Sequence, residues 1–216
     1  MKPLTIFFYI LKTQKFVIIA YGDGMNDIIL MRHGLTNANK NYIVQGRMDN
    51  PLNKEGMDQA FATGQYLLNE NAEFDMVISS PLKRAFRTAE LVNKGMRHRT
   101  RPIVLDKGLI ERNFGDYDGK KITDDYYYLV KRGLVPNMET SELLEERVLE
   151  ALKDICKKYP DKKLLIVTHS HVIKSLLTKL VPDFTWESYL HNCSLNHIVI
   201  NDGLIEVIDY NINPLA

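Results

Sequence analysis

Cysteine is almost missing: Cys156 and Cys193 stand alone in 216 residues, too few for a disulfide framework and without the paired spacing of a zinc site. That scarcity fits a reducing compartment, and the chain reads as cytoplasmic. An excess of one charge is lacking too. With 28 Lys and Arg against 27 Asp and Glu, the formal net charge is +1. No global field draws nucleic acid or an anionic membrane, so an anion must be held by a local cluster of cations. No apolar run approaches the roughly 20 residues that cross a bilayer, since Lys12 and Lys15 interrupt the apolar stretch that starts at Pro3. That stretch does not read as a signal peptide either, because Tyr21, Gly22, Asp23 and Gly24 follow Ala20 where a small-residue cleavage site belongs. The expectation is an N-terminal extension over residues 1–24, outside the native chain, and one domain over 25–216 that opens at Met25. Neither nucleic acid nor membrane is expected as a partner.

What is present is ordinary globular material, 45% hydrophobic and 25% charged, enough for one sizeable core. From Asp27 onward, short runs of Ile, Val and Leu alternate with segments of helical period. This predicts an α/β fold, a single-domain sandwich whose mostly parallel sheet carries helices on both faces. Strands are expected over residues 27–31, 75–79, 103–105 and 163–168. Helices are expected after Asn53, from Ser80 with Pro81 at the first helical position, from Ser141, and over 172–180. The Asn201-Asp202-Gly203 turn marks a closing hairpin. Three consecutive tyrosines, Tyr126 to Tyr128, sit in an excursion expected to pack as a helix through its aromatics.

Four polar clusters each follow a predicted strand: Arg32-His33-Gly34, residues 79–87, residues 111–119, and Thr168-His169-Ser170. Ligand crevices of open α/β sheets lie outside the carboxyl ends of the strands, so these clusters can meet. Together they supply what a phosphomonoester requires. Arg32 and Arg84 offer forked, permanently charged donors for phosphate oxygens. Two guanidinium groups beside an imidazole disfavour its protonation, which keeps His33 a nucleophile near pH 7. His169 can hold phosphoryl oxygens or donate to charge developing in the transition state. Glu111 is the candidate acid for the leaving oxygen, its proton retained when a phosphate dianion binds beside it.

At this point the residues resemble the signature of the histidine phosphatase superfamily, the phosphoglycerate mutase-like family. Arg32-His33-Gly34 with Thr36 and Asn39 matches its opening motif. Gln45-Gly46, Asp49 to Leu52, Gly56 and Gln59 follow in order. Then come Ser79 to Ala85, Glu111-Arg112 with Gly115 and Gly119, Thr168-His169, and Asn192-Cys193-Ser194. The resemblance implies a phosphohistidine at His33 and a phosphate pocket of Arg32, Arg84, His169 and Asn39. It further implies proton donation by Glu111, Gln45 and Gly46 beside the substrate, and no metal or cofactor. Two positions depart from the family pattern, Leu35 where an acidic residue is frequent and Ser170-His171 where a glycine pair is frequent.

The implied partner is a small phosphorylated metabolite, most simply hydrolysed. A mutase is the alternative, and Lys131 and Arg132 are the candidate carboxylate binders for it or for a substrate. Few residues separate the acid loop from the third predicted helix, which favours water as the acceptor. A non-catalytic phospho-ligand binder is the weaker reading, because a binder has no use for Glu111. Gly22-Asp23-Gly24 and Asp116-Tyr117-Asp118-Gly119 resemble haloacid dehalogenase motifs, but in the reverse order. Neither the ester nor an oligomeric state is written in these motifs.

Overall fold

The computed structural model describes residues 17–18, 24–97 and 102–216. Strands β1 (Val17–Ile18), β2 (Met25–Arg32), β3 (Met76–Ser79), β4 (Ile103–Leu105), β5 (Lys163–Thr168), β6 (Leu195–Asn201) and β7 (Leu204–Ile212) form one sheet in the order β1-β7-β6-β2-β5-β3-β4. The four strands β2, β5, β3 and β4 run parallel, and β6, β7 and β1 continue the sheet antiparallel. Of the 24 residues expected to precede the domain, the pair Val17–Ile18 lies against Leu204 and Ile205 of β7. The apolar stretch from Pro3 and the Gly22-Asp23 half of the dehalogenase-like motif lie outside the described residues.

Helices α1 (Asn37–Lys40), α2 (Lys54–Asn69), α3 (Lys83–Gly95), α4 (Tyr126–Lys131), α5 (Ser141–Lys158) and α6 (Ser170–Leu180) complete the chain. The period of two along β5 explains why its sequence is continuously apolar. Leu164 and Ile166 enter a core formed with α5 and α6, whereas Leu165 and Val167 enter a second core with α2 and α3. β2 splits the same way, with Ile28 and Leu30 on the first side and Met31 on the second. Both faces of the sheet are therefore covered, as the sequence pattern predicts.

Two expected helix starts move. The second helix begins at Lys83 with Leu82 at its N-cap, two residues beyond Pro81. The reason lies at Ser80, whose hydroxyl is hydrogen-bonded to His169 Nε2 at 2.7 Å and accepts from Leu82 N only at 3.4 Å. The last helix begins at Ser170, two residues early. Asn53 does cap α2, its side chain accepting from Gly56 N, and Thr140, one residue before Ser141, caps α5 by accepting from Leu143 N. The hairpin turn places Asp202 and Gly203 at φ +48° and +80°, the left-handed pair of a two-residue turn. The tyrosine excursion forms α4, but only Tyr126 is packed; Tyr127 and Tyr128 are exposed. Tyr126 joins Val44, Phe114, Val130 and Val135 in a small third core beside the site.

Candidate active site

The ends of three adjacent parallel strands, β2, β5 and β3, deliver Arg32-His33, His169 and Ser80 to one place. Cross-strand bonds continue past the strand ends: His33 N donates to Thr168 O at 3.0 Å, and Ser80 N donates to Val167 O at 2.9 Å. Gly34 lets the chain leave β2 against the first turn of α2, where a Cβ on Gly34 would lie 2.5 Å from Gly56 O. No larger residue fits that approach.

His33 is 2% exposed, and its Nδ1 lies 2.8 Å from Gly34 O. A carbonyl only accepts, so the proton sits on Nδ1 and Nε2 keeps its lone pair. Arg84 Nε–H, which only donates, faces that lone pair from 3.3 Å. Burial, then Arg84, then Arg32 drive the His33 pKa well below its ordinary value. The two guanidinium groups read from the sequence contribute, but burial is the larger cause. Arg84 is fully buried and aimed by Gly46 O at 2.8 Å and Met48 O at 2.7 Å. That loop is shaped by Asp118, whose carboxylate accepts from Gly46 N at 2.6 Å, Arg47 N at 3.0 Å and Met48 N at 3.2 Å. The Asp118 of the dehalogenase-like motif is thus committed to backbone amides. Arg32 Nη1 donates to Leu190 O, and its buried Nε has no acceptor among the described residues. A buried, unmatched guanidinium donor beside an imidazole lone pair fits an anion.

His169 is fully buried, with its ring 5.2 Å from that of His33. Burial and then Arg84 lower its pKa far below the ordinary value. Glu111 follows β4, is 4% exposed, and accepts from Arg112 N at 2.8 Å and from His171 N at 3.2 Å. Burial raises its pKa despite these bonds and the opposing Arg84 and Arg32 charges. The carboxyl is therefore biased toward holding a proton before any phosphate arrives, which the sequence argument assigned to the substrate alone.

The remaining candidates fall differently. Asn39 closes a capping box with Thr36 and touches the site through Asn192, whose Nδ2 donates to His33 O at 3.0 Å and reaches Asn39 Oδ1 at 3.5 Å. Gln45 donates to Thr36 Oγ1 at 2.8 Å and accepts from Asn50. Gly46 contributes its carbonyl to Arg84. Lys131 reaches the rim of a narrow crevice beside Arg112, His171, Trp186 and Glu187. Arg132 is exposed and lies over Tyr128 at 5.6 Å.

Sequence reasoning passed over Ser80 as a partner of His169. His171, a departure from the family pattern, holds Glu111 through its backbone while its ring stacks on Trp186 at 5.2 Å and abuts Phe114 at 4.8 Å. Sequence reasoning also missed Lys174, a 7% exposed lysine donating to Trp186 O at 2.7 Å. Burial, then the nearby Arg32, lower this ammonium to a pKa of about 8.

A mixed α/β sheet that carries at the ends of its parallel strands an imidazole nitrogen with a free lone pair, the buried Arg84, the half-buried Arg32 and a carboxyl whose pKa burial raises is a domain suited to a tetrahedral oxyanion. The chain belongs to the histidine phosphatase superfamily (branch 1), whose sequence model matches residues 28–213. It is 37% identical over 199 residues to the uncharacterized phosphatase PhoE of Bacillus subtilis (strain 168), covering 88% of this chain and 96% of that protein. It is 29% identical over 190 residues to a metal-independent phosphoserine phosphatase of Arabidopsis thaliana, covering 82% and 78%. The crystal structure of phosphoglycerate mutase from Bacillus anthracis str. Sterne superposes with a TM-score of 0.74 at 25% identity, covering 86% of this chain and 92% of that one.

Proposed function

We propose that this chain hydrolyses small phosphomonoesters through a phosphohistidine formed at His33 Nε2. The observation that carries the reading is the tautomer: Nδ1–H is committed to Gly34 O, which leaves Nε2 as a lone pair facing the Arg84 guanidinium. A phosphate dianion held by Arg32, Arg84 and His169 presents phosphorus to that nitrogen. As the N–P bond forms and the P–O ester bond breaks, Glu111 gives its proton to the leaving oxygen and the alcohol departs. Glu111, now a carboxylate, takes a proton from water. The water oxygen attacks phosphorus, the N–P bond breaks, and inorganic phosphate leaves with His33 and Glu111 restored.

Water is favoured over a second phosphorylated ligand by what stands between the acid loop and α5. That segment carries only the six-residue helix Tyr126–Lys131, and the exposed Arg132 that follows it lies over Tyr128. A reducing, cytoplasmic setting fits a chain whose two cysteines are both buried. No helix among the described residues is long and apolar enough to cross a membrane. Residues 1–24 remain our proposed extension, although Val17–Ile18 within it pairs with β7, and mass spectrometry of the native N-terminus checks it.

Rapid-quench labelling tests the reading, with 32P-phosphomonoesters that include phosphoserine and 3-phosphoglycerate, run in EDTA. An acid-labile, base-stable label that disappears in His33→Ala and drains to inorganic phosphate is the expected result. Transfer of the label to a second ester would make the enzyme a mutase. No label and no turnover on any ester would leave a binding module.

A further inference from the structure

We propose that Glu139 and Arg147, neither of which touches the phosphate pocket, are positioning residues that hold Glu111 in register with the leaving oxygen. This rests on the acid role assigned above. Arg147 projects from α5, and its guanidinium is divided between two tasks. Nε and Nη2 form a forked pair with Glu139, to Oε1 at 2.8 Å and Oε2 at 3.0 Å. Nη1 donates to Gly108 O at 2.6 Å and Ile110 O at 3.0 Å, the carbonyls that precede Glu111 in the loop.

Glu139 grips the other side. Its Oε2 accepts from Asn113 N at 3.0 Å, its backbone N donates to Asn113 O at 2.8 Å, and its carbonyl accepts from Arg112 Nε at 2.8 Å. One forked ion pair therefore fixes the backbone on both sides of the acid. Its side chains are only 21% and 10% exposed, so water competes little for these bonds. Burial alone would raise the Glu139 pKa, but the bonds from Arg147 and Asn113 hold it below the ordinary value, so the carboxylate stays ionised through the neutral range. Among the described residues, Thr168 Oγ1, which donates to Leu109 O at 2.8 Å, is the one other side chain on the carbonyls of residues 108–110. A shift of Glu111 by about 1 Å would cost on the order of 100-fold in proton transfer.

Glu139→Gln and Arg147→Lys test this, with Glu111→Gln run in parallel and folding checked by thermal melting. Arg147→Lys retains a cation that still reaches one carbonyl, so it serves if Glu139→Gln melts early. Each variant is assayed on an alkyl phosphate, whose leaving oxygen needs the proton, and on an aryl phosphate, whose oxygen does not. The expected result is a kcat loss of about 10-fold or more on the alkyl ester, under about 3-fold on the aryl ester, with KM unchanged on both. Equal losses on both esters, or none, while Glu111→Gln is selective, overturn the positioning role alone. Absence of selectivity in all three variants overturns the acid assignment and the positioning role together.

Discussion

Arg84 Nε faces His33 Nε2 at 3.3 Å, so the cation expected to hold phosphate also points at the nitrogen expected to attack it. A proton on Nε2 would put two donors face to face in a buried space. The arrangement is stable only while His33 is neutral, which is the state a nucleophile needs.

Replacing Arg84 by lysine keeps the charge and loses the fork. Three acceptors, Gly46 O, Met48 O and His33 Nε2, are matched by three different guanidinium nitrogens, and one ammonium cannot reach all of them. Arg84→Lys should lower kcat/KM by about 100-fold or more, the scale for removing one preorganised oxyanion donor. A steady-state rate within a few-fold of the unmodified enzyme would remove Arg84 from direct phosphate contact.

Glu111→Gln preserves shape and removes the proton. Poor leaving groups should slow by about 100-fold or more, whereas activated aryl phosphates change little. Because burial raises the Glu111 pKa in the free chain, the alkaline limb of kcat/KM on alkyl esters should lie above the ordinary carboxyl range. Glu111→Gln should abolish that limb. A profile that keeps it would assign the limb to another group.

The sheet and the central pocket were legible because both rest on local signals. The apolar run of β5 and the caps at Asn53 and before Ser141 mark elements directly, and polar clusters after strands can converge only at the carboxyl ends of the sheet. The start of α3 was misplaced because Ser80 serves His169, 89 residues away, and no local propensity reports that. Arg132 caps the C-terminus of α4 and lies over Tyr128, a placement that its charge alone does not report. Glu139 and Arg147 left no trace, since an ion pair that acts by holding loop carbonyls carries neither a motif nor a period.

Gly56→Ala should couple fold and activity. A Cβ there would lie 2.0 Å from Leu35 O and 2.6 Å from Leu35 N, so the Gly34–Leu35 segment must move. That segment carries the carbonyl which fixes the His33 tautomer. Overpacking of this kind costs about 1–3 kcal/mol, and kcat should fall with it. Gly133→Ala is the comparison, because its Cβ would meet nothing within 4 Å and only its φ of +64° resists. The cost there should be about 1 kcal/mol, with activity unchanged. Similar rates for the two variants would detach the glycine contact from the chemistry.

Acid should destabilise the chain from the histidine range downward. His33, His169 and His171 all have pKa values lowered chiefly by burial, so the folded state keeps them neutral while the unfolded chain protonates them below about pH 6.5. Within that window the unfolded state binds up to three more protons, and stability rises with pH. It is fully present well above about 6.5 and is lost as pH falls, by up to about 1.4 kcal/mol per pH unit for each histidine. Glu111, with its raised pKa, acts in the opposite sense, since the folded state holds its proton above the unfolded value of 4.5. Glu139, lowered in the folded state, adds a loss only below 4.5. Urea melts at pH 7.5, 6.5 and 5.5 should therefore show stability falling by about 1 kcal/mol across the first step and by about 3 kcal/mol across the second. His171→Gln should remove about a third of that fall, and midpoints unchanged down to pH 5.5 would mean that these rings are not held neutral by the fold.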